Sequence, residues 1–317
     1  AYPAESPDVE IDPDAAAYAV LSTDSAGTPN AIFGTHGALS HFLQWHSRAF
    51  DINESDRFAM FSGPSQNNTP WDIFVALWVG ATLRIPDAGQ TGFPQEMARW
   101  MRDEQITSTH LTPAMAQSLA QTASGAAGCQ IPSLRYAFLP GGVLTKGLVS
   151  KLRRLAPRAT CVNLYQTTEM AQPVACFVLP DEVELNSYEP TEADEKKNIP
   201  LGRGIDGAQL LVLNRNKQLA GVGELGEIYI RTPYLSMEQI GGGAEIKERF
   251  SVNPFTNRAS DQIYRTGDAG RYLPDGNAEF VGRAGRRMKR RLRRPIRQYV
   301  KDRNEPDYSA RESARHS

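Results

Sequence analysis

Apolar residues at Phe93, Met97, Trp100 and Met101 recur at helical spacing, and the stretch 106–111 that follows has strand character, so the order is helix then strand. Pro113 opens another helix. The β-rich segment 136–139 runs through Gly141 and Gly142 into a helix with Leu148, Leu152 and Leu155 on one face, then into a strand at 160–164. That is a βαβ unit. Strands alternating with helices of this length predict an α/β fold of mostly parallel sheets flanked by helices, with ligands at the carboxyl ends of the strands.

After the polar, acidic stretch 181–197 the pattern changes. A strand at 209–213, a turn at 214–217, the segment 221–226 and a strand at 227–230 predict a small β-rich subdomain. It continues through 264–280, where Pro274, Asp275 and Gly276 supply a tight turn between two short strands. Beyond Arg286 neither period survives and Pro295 interrupts the arginines. The expected organisation is therefore an α/β part at 1–195, a β-rich part at 196–283 and a disordered basic tail at 284–317.

Composition bounds the class. The 317 residues are 40% hydrophobic and 22% charged, with 26 Gly and 21 Pro, which fits an ordinary globular chain and argues against collagen, coiled coil or wholesale disorder. No apolar run approaches the roughly 18 residues of a membrane helix. The N-terminus, rich in acids and prolines, has neither the basic start nor the apolar stretch of a signal peptide, so a cytoplasmic location is the default expectation. Three cysteines, Cys129, Cys161 and Cys176, without C-x-x-C spacing predict neither a disulfide framework nor a zinc site. Between Arg283 and Arg303 there are eleven Lys and Arg against the single acid Asp302. This segment therefore carries +10 of a net charge of −1, leaving −11 for the rest. Such a tail attracts polyanions, but only Tyr299 interleaves it, so specific nucleic-acid recognition is not expected.

Three segments could carry chemistry. Leu21-Ser22-Thr23-Asp24-Ser25-Ala26-Gly27-Thr28-Pro29 follows an apolar strand-like run, and a loop so rich in small hydroxyl residues can wrap a phosphate chain, although the same residues also make ordinary turns. Asn163-Leu164-Tyr165-Gln166-Thr167-Thr168-Glu169 lies just past a strand end, where a carboxylate and hydroxyls could hold magnesium and a nucleotide. Tyr264-Arg265-Thr266-Gly267-Asp268 places an acid after a strand and a glycine, where it can accept both hydroxyls of a ribose.

With Gly223-Glu224-Leu225-Gly226-Glu227-Ile228 between the last two and Gly282-Arg283 after them, these motifs occur in an order that resembles the adenylation domain of nonribosomal peptide synthetases, within the adenylate-forming superfamily. Phe33-Gly34-Thr35-His36, Thr109-His110-Leu111-Thr112-Pro113-Ala114-Met115 and Val143-Leu144-Thr145-Lys146 are similar to the α-aminoadipate reductase variety. The resemblance implies a ligase that joins a carboxylate to the α-phosphate of ATP and then passes the acyl group to a phosphopantetheine thiol. ATP, Mg2+, a small carboxylic or amino acid and a peptidyl carrier domain are the implied cofactors and partners.

Carried over by position, Ser22, Thr23, Ser25 and Gly27 form the phosphate loop. Asn163 and Tyr165 contact the nucleotide, the former at the adenine, which the turn at Gly141 and Gly142 lets backbone approach. Thr168 touches the phosphates and Glu169 the magnesium, as the catalytic pair. Asp268 binds the ribose, Arg283 contacts the nucleotide near the hinge, and Gln66, Asn67 and Trp71 fall in the substrate region.

Several positions depart from the family pattern. In the phosphate loop Asp24 replaces a glycine, Ala26 a hydroxyl residue, Asn30 a lysine and Ala31 a glycine. Asp24 would repel a triphosphate, and losing a charge-assisted contact at Asn30 costs roughly 1.5 to 3 kcal/mol. Gln166 stands where a glycine is usual, and Gln66-Asn67 replace a His-Asp pair whose acid holds a substrate amino group. Gly285 replaces a hinge aspartate, and neither the family's C-terminal subdomain with its lysine nor the portion before Tyr18 is recognisable. The competing expectation is thus an inactive adenylation fold that at most binds nucleotide. Sheet strands missing from such a fragment would leave apolar surface uncovered. His36, His41, His46 and His110 show no metal spacing and are expected in packing or surface roles, and Trp71, Trp78 and Trp100 in the core.

Overall fold

The computed structural model describes residues 9–23, 29–61, 63, 69–122, 130–167, 170, 172–180, 196–234, 239–240 and 247–284, with no side-chain detail at 21–23, 29–30, 88 and 239–240. The predicted Ser25, Gly27, Gln66, Asn67, Thr168 and Glu169, and the tail from 285, lie outside the described residues, as do the side chains of Ser22 and Thr23.

The chain opens with antiparallel β1 (Ala16–Thr23) and β2 (Pro29–Thr35), so the candidate phosphate loop joins two strands of a hairpin. Helix α1 (His36–Ala49) follows, its first turn capped by Thr35, whose hydroxyl accepts from the Ala38 amide at 3.2 Å. Then come β3 (Arg57–Ala59), α2 (Thr69–Val79), β4 (Thr82–Arg84), α3 (Ala88–Thr91), α4 (Pro94–Asp103), β5 (Ser108–His110), α5 (Pro113–Thr122), β6 (Tyr136–Pro140), α6 (Lys146–Leu155) and β7 (Thr160–Tyr165). Helix α4 starts on Pro94, where the missing amide costs nothing, and α6 is capped by Thr145.

With β8 (Ala175–Val178) and β9 (Arg203–Gly204) these strands form one seven-stranded sheet, ordered β4-β3-β5-β6-β7-β8-β9. The first five strands are parallel, as the βαβ pattern predicted for the centre; β8 runs antiparallel to them, and β9, antiparallel to β8, runs with the first five. Alternation along β6 divides the core: Ala137 and Leu139 pack with Met101, Leu119 and Leu152 from α4, α5 and α6, while Phe138 packs with Phe42 and Trp71 from α1 and α2. Each fully buried large apolar side chain contributes about 1.5 to 3 kcal/mol by transfer from water.

Strands fall on the expected segments 209–213, 227–230 and 264–280, while β9 at 203–204 belongs to the larger sheet. Strands β10 (Gln209–Leu213), β11 (Gly226–Arg231), β13 (Phe250–Val252), β14 (Gln262–Tyr272) and β15 (Ala278–Arg283) form an antiparallel sheet in which β14 pairs with β11, β13 and β15. A short β12 (Gln239–Ile240) pairs with β2 instead. The β14 sheet is tied to the larger sheet by backbone bonds of 2.8 Å between Leu201 and Ala278 and between Ala278 and Gly202, and by a core in which Tyr165 and Val174 meet Ile228 and Tyr264.

Trp78 is 49% exposed rather than core: with Phe74 and Leu77 it forms the outer side of α2, a helix so apolar all round that its sequence does not say which side faces in. Trp71 and Trp100 are buried as expected, and Trp71 has no exposed surface. Among the described residues no helix is long and apolar enough to cross a membrane, and Cys161 and Cys176 are free thiols.

Candidate nucleotide site

The ends of β6, β7 and β15 converge on the middle of β14, and they bring together most of the expected site residues that the structure describes. At the end of β7 Asn163, 2% exposed, points its amide at the Pro200 carbonyl, donating from Nδ2 at 2.7 Å. The next outward residue, Tyr165, donates its hydroxyl to Asp268 Oδ2 at 2.8 Å. Arg283, the last residue of β15, donates from Nη1 to Asp268 Oδ1 at 2.5 Å. The ends of β7 and β15 are thus joined through one carboxylate in the middle of β14.

The electrostatics follow from the surroundings. Burial, and then the negative charge of Asp268, pushes the Tyr165 phenol well above its ordinary value of 10.0, so Tyr165 stays a donor at neutral pH. The hydrogen bond to Asp268 raises the Arg283 guanidinium further. The Arg283 side chain is 72% exposed, so water screens its attraction, whereas the Asp268 side chain is only 9% exposed and depends on its partners for solvation. A carboxylate has about four lone-pair positions. Two bonds leave capacity for the hydroxyls of a vicinal diol.

Beside β7 the chain turns at Gly141 and Gly142, with φ of +67° and +111°. A Cβ on Gly142 would lie 2.8 Å from Pro113 Cγ, so only glycine lets this turn close onto the start of α5. The Gly141 amide donates to the Leu164 carbonyl at 3.4 Å, which holds the turn against the end of β7. Just beyond, Gln166 Oε1 and Thr167 Oγ1 are buried and find no hydrogen-bond partner among the described residues. An acceptor and a hydroxyl left over beside a diol-sized acid and a left-handed glycine turn fit a polar ligand with several hydrogen-bonding groups, as a nucleotide is.

Trp71 sits elsewhere, under α1. Its ring is 5.4 Å from Phe42 and 5.9 Å from His110, and His110 Nδ1 is bonded to Asp72 Oδ1 at 2.7 Å. Tyr18, whose phenol burial pushes up to about 12, shares hydrogen bonds with Gln172 and Trp71. His46 and His110 are both packed inside this cluster.

The profile of the AMP-binding enzyme family matches residues 2–238. The chain belongs to the AMP-binding enzyme family. It is similar to L-2-aminoadipate reductase of Schizosaccharomyces pombe, with 36% identity over 307 residues, covering 90% of this chain and 21% of that protein. A linear gramicidin synthase of Brevibacillus parabrevis is 32% identical over 84% of this chain and 5% of its own length. The chain thus spans about a fifth of the aminoadipate reductases it matches. Among solved structures IdnL7 superposes with a TM-score of 0.70 at 25% identity, over 86% of this chain and 51% of that one. The fold also matches the AMPPNP-bound form of the nonribosomal peptide synthetase FmoA3, with a TM-score of 0.74 at 24% identity over 86% of this chain and 28% of that one.

Thr266, beside Asp268, and Thr167 are given no role by the sequence alone; only for Thr266 does a local signal stand out. Its signal is a small hydroxyl two positions before an acid, separated from it by a glycine that can turn the chain.

Proposed function

We propose that the chain is the nucleotide-binding core of an adenylate-forming acid ligase, with an α/β part at 1–195, a β-rich part at 196–283 and a basic tail at 284–317. The observation that carries the reading is the convergence of Tyr165, Arg283 and the shielded Asp268 carboxylate beside the Gly141-Gly142 turn. Asp268 would take the ribose hydroxyls, Asn163 and Tyr165 the base, and Arg283 the nucleotide at the edge of the site. Thr168 and Glu169 follow directly on the orphaned Gln166 and Thr167, where phosphates and Mg2+ are expected, and Ser22, Thr23, Ser25 and Gly27 supply the phosphate loop. The bound nucleotide supplies an electrophilic α-phosphorus with pyrophosphate as leaving group. The protein's part is positioning and charge neutralisation. The acid partner is a small carboxylic or amino acid near Gln66, Asn67 and Trp71, and the acceptor a phosphopantetheine thiol on a carrier domain.

The test is calorimetric titration of the full chain with ATP and MgCl2, wild type against Asp268→Ala. Saturable binding that weakens at least about tenfold in the variant is expected, since each hydrogen bond to a charged group contributes about 1.5 to 3 kcal/mol. Equal binding by both proteins would remove Asp268 from the site. The phosphate-loop departures at Asp24 and Asn30 favour a second reading, a fold that binds nucleotide without catalysis. ATP–pyrophosphate exchange over a panel of carboxylic and amino acids separates the two, because exchange with any acid rules the silent fold out.

A further inference from the structure

The ladder between β11 and β14 is regular at Arg231 with Ile263, Ile230 with Tyr264 and Tyr229 with Arg265. The next matched pair is Glu227 with Ala269, so Ile228 alone faces Thr266, Gly267 and Asp268. Two extra residues in one strand leave backbone groups without ladder partners. Here the Thr266 hydroxyl replaces the missing bonds. It donates to the Ile228 carbonyl at 2.8 Å and accepts from the Asp268 amide at 3.0 Å, at a site where Thr266 is 2% exposed and Ile228 fully buried. Gly267, at φ +76°, makes the turn that no β-branched residue would make, and its carbonyl accepts from the Ala284 amide at 2.7 Å on the opposite edge. The bulge carries Asp268 to where Tyr165 and Arg283 meet it.

We propose that Thr266 is a positioning residue, whose hydroxyl pins the β14 bulge and thereby sets the place and aim of the Asp268 carboxylate that receives the ribose hydroxyls. The inference deepens the nucleotide reading above and, for its ligand, rests on it. Without the hydroxyl a buried carbonyl and a buried amide both lose their partner, and the cheapest repair is for the extra residues to shift along β11, which moves Asp268. Serine keeps the pin. Valine keeps the branched shape and loses it.

The experiment compares wild type, Thr266→Val and Thr266→Ser for binding of ATP and of 2′,3′-dideoxy-ATP in MgCl2. The wild-type protein is expected to bind the dideoxy nucleotide at least tenfold more weakly. In Thr266→Val that penalty shrinks to under threefold while dideoxy affinity itself changes little, and Thr266→Ser restores the penalty. A penalty as large in Thr266→Val as in wild type overturns the proposal. If Thr266→Val does not fold, Thr266→Cys, a weaker donor and acceptor of similar size, must give an intermediate penalty, and a wild-type value there overturns it equally.

A second readout needs no nucleotide. With 13Cζ-labelled arginine and the Arg283 resonance assigned by Arg283→Lys, Thr266→Val should move that signal toward its position in Asp268→Asn; Arg283 reports on the carboxylate it bonds, whereas Tyr165 also touches Thr266 directly. If wild type binds no ATP, the nucleotide reading fails, and this resonance still decides the pin: an unmoved signal ends it, a moved one upholds it.

Discussion

His46 is an imidazole sealed in an aromatic box, and charging it inside the folded protein is unfavourable. Its ring lies 4.5 Å from that of Phe138 and 5.3 Å from those of Phe42 and Phe50, and among the described residues neither ring nitrogen has a hydrogen-bond partner. The titratable groups that face it are His110, with ring centroids 5.6 Å apart, and behind it Asp72, bonded to His110 Nδ1. Burial, and then the proximity of His110, holds His46 well below its ordinary value of 6.5. The folded value is depressed, so the stabilising contribution is complete above pH 6.5 and is lost as pH falls from there toward the folded value. The slope is at most about 1.4 kcal/mol per pH unit for one proton, so lowering the pH from 7.5 to 5.0 costs up to about 2 kcal/mol through this residue.

Urea denaturation at the two pH values, on wild type and on His46→Phe, isolates the residue from the many carboxylates that titrate alongside it. Phenylalanine suits the box and binds no proton, so the variant should lose less than wild type over this interval, by up to about 2 kcal/mol. His46→Leu should behave alike, whatever packing it sacrifices at pH 7.5. Equal losses in wild type and both variants would show that the folded protein protonates His46 at no cost, and the burial argument would be wrong.

Three further perturbations test other parts of the fold. Gly142→Ala combines φ +111° with a Cβ 2.8 Å from Pro113 Cγ, and should destabilise by about 1 to 3 kcal/mol, seen as a Tm lower by roughly 2 to 8 °C; an unchanged Tm would contradict the glycine turn. The buried Asp56 carboxylate accepts from Thr107 Oγ1 at 2.6 Å, from the Asn53 amide at 3.1 Å and from Arg135 Nη1 at 2.9 and 3.0 Å. Asp56→Ala should cost about 3 kcal/mol in urea melts, at the low end for a buried pair because Arg135 is 38% exposed and can rehydrate, and Asp56→Asn should fall between. Phe74, Leu77 and Trp78 on α2, with Ile85 and Phe93 nearby in the chain, are all exposed. Leu77→Lys with Trp78→Glu should therefore raise the monomeric fraction in size-exclusion chromatography without lowering Tm.

Local pattern carries far in this chain. The helices α4, α5 and α6 and the strands β6, β7, β10 and β11 follow from 3.6- and 2-residue periods with proline and glycine at their ends, because these elements have one buried side and one wet or differently packed side. The acid of Thr266-Gly267-Asp268 and the glycine turn at 141–142 stand out for a similar reason, since turns restrict residue type regardless of what surrounds them. Helix α2 gave no such sign, being apolar on nearly every side, and only packing against α1 and β3 settles that Trp71 faces in and Trp78 out.

Pairing across the chain is the other thing no local period contains. That Tyr165 and Arg283 share the carboxylate of Asp268 depends on two sheets docking at Leu201 and Ala278, and that Thr266 holds Asp268 depends on a register jump opposite Ile228. A hydroxyl's choice of partner is set by whichever backbone groups the fold leaves unpaired at that place. Residue types and their order therefore declare the AMP-binding family, while the place of the Asp268 carboxylate beside Tyr165 and Arg283 comes from pairing between distant strands.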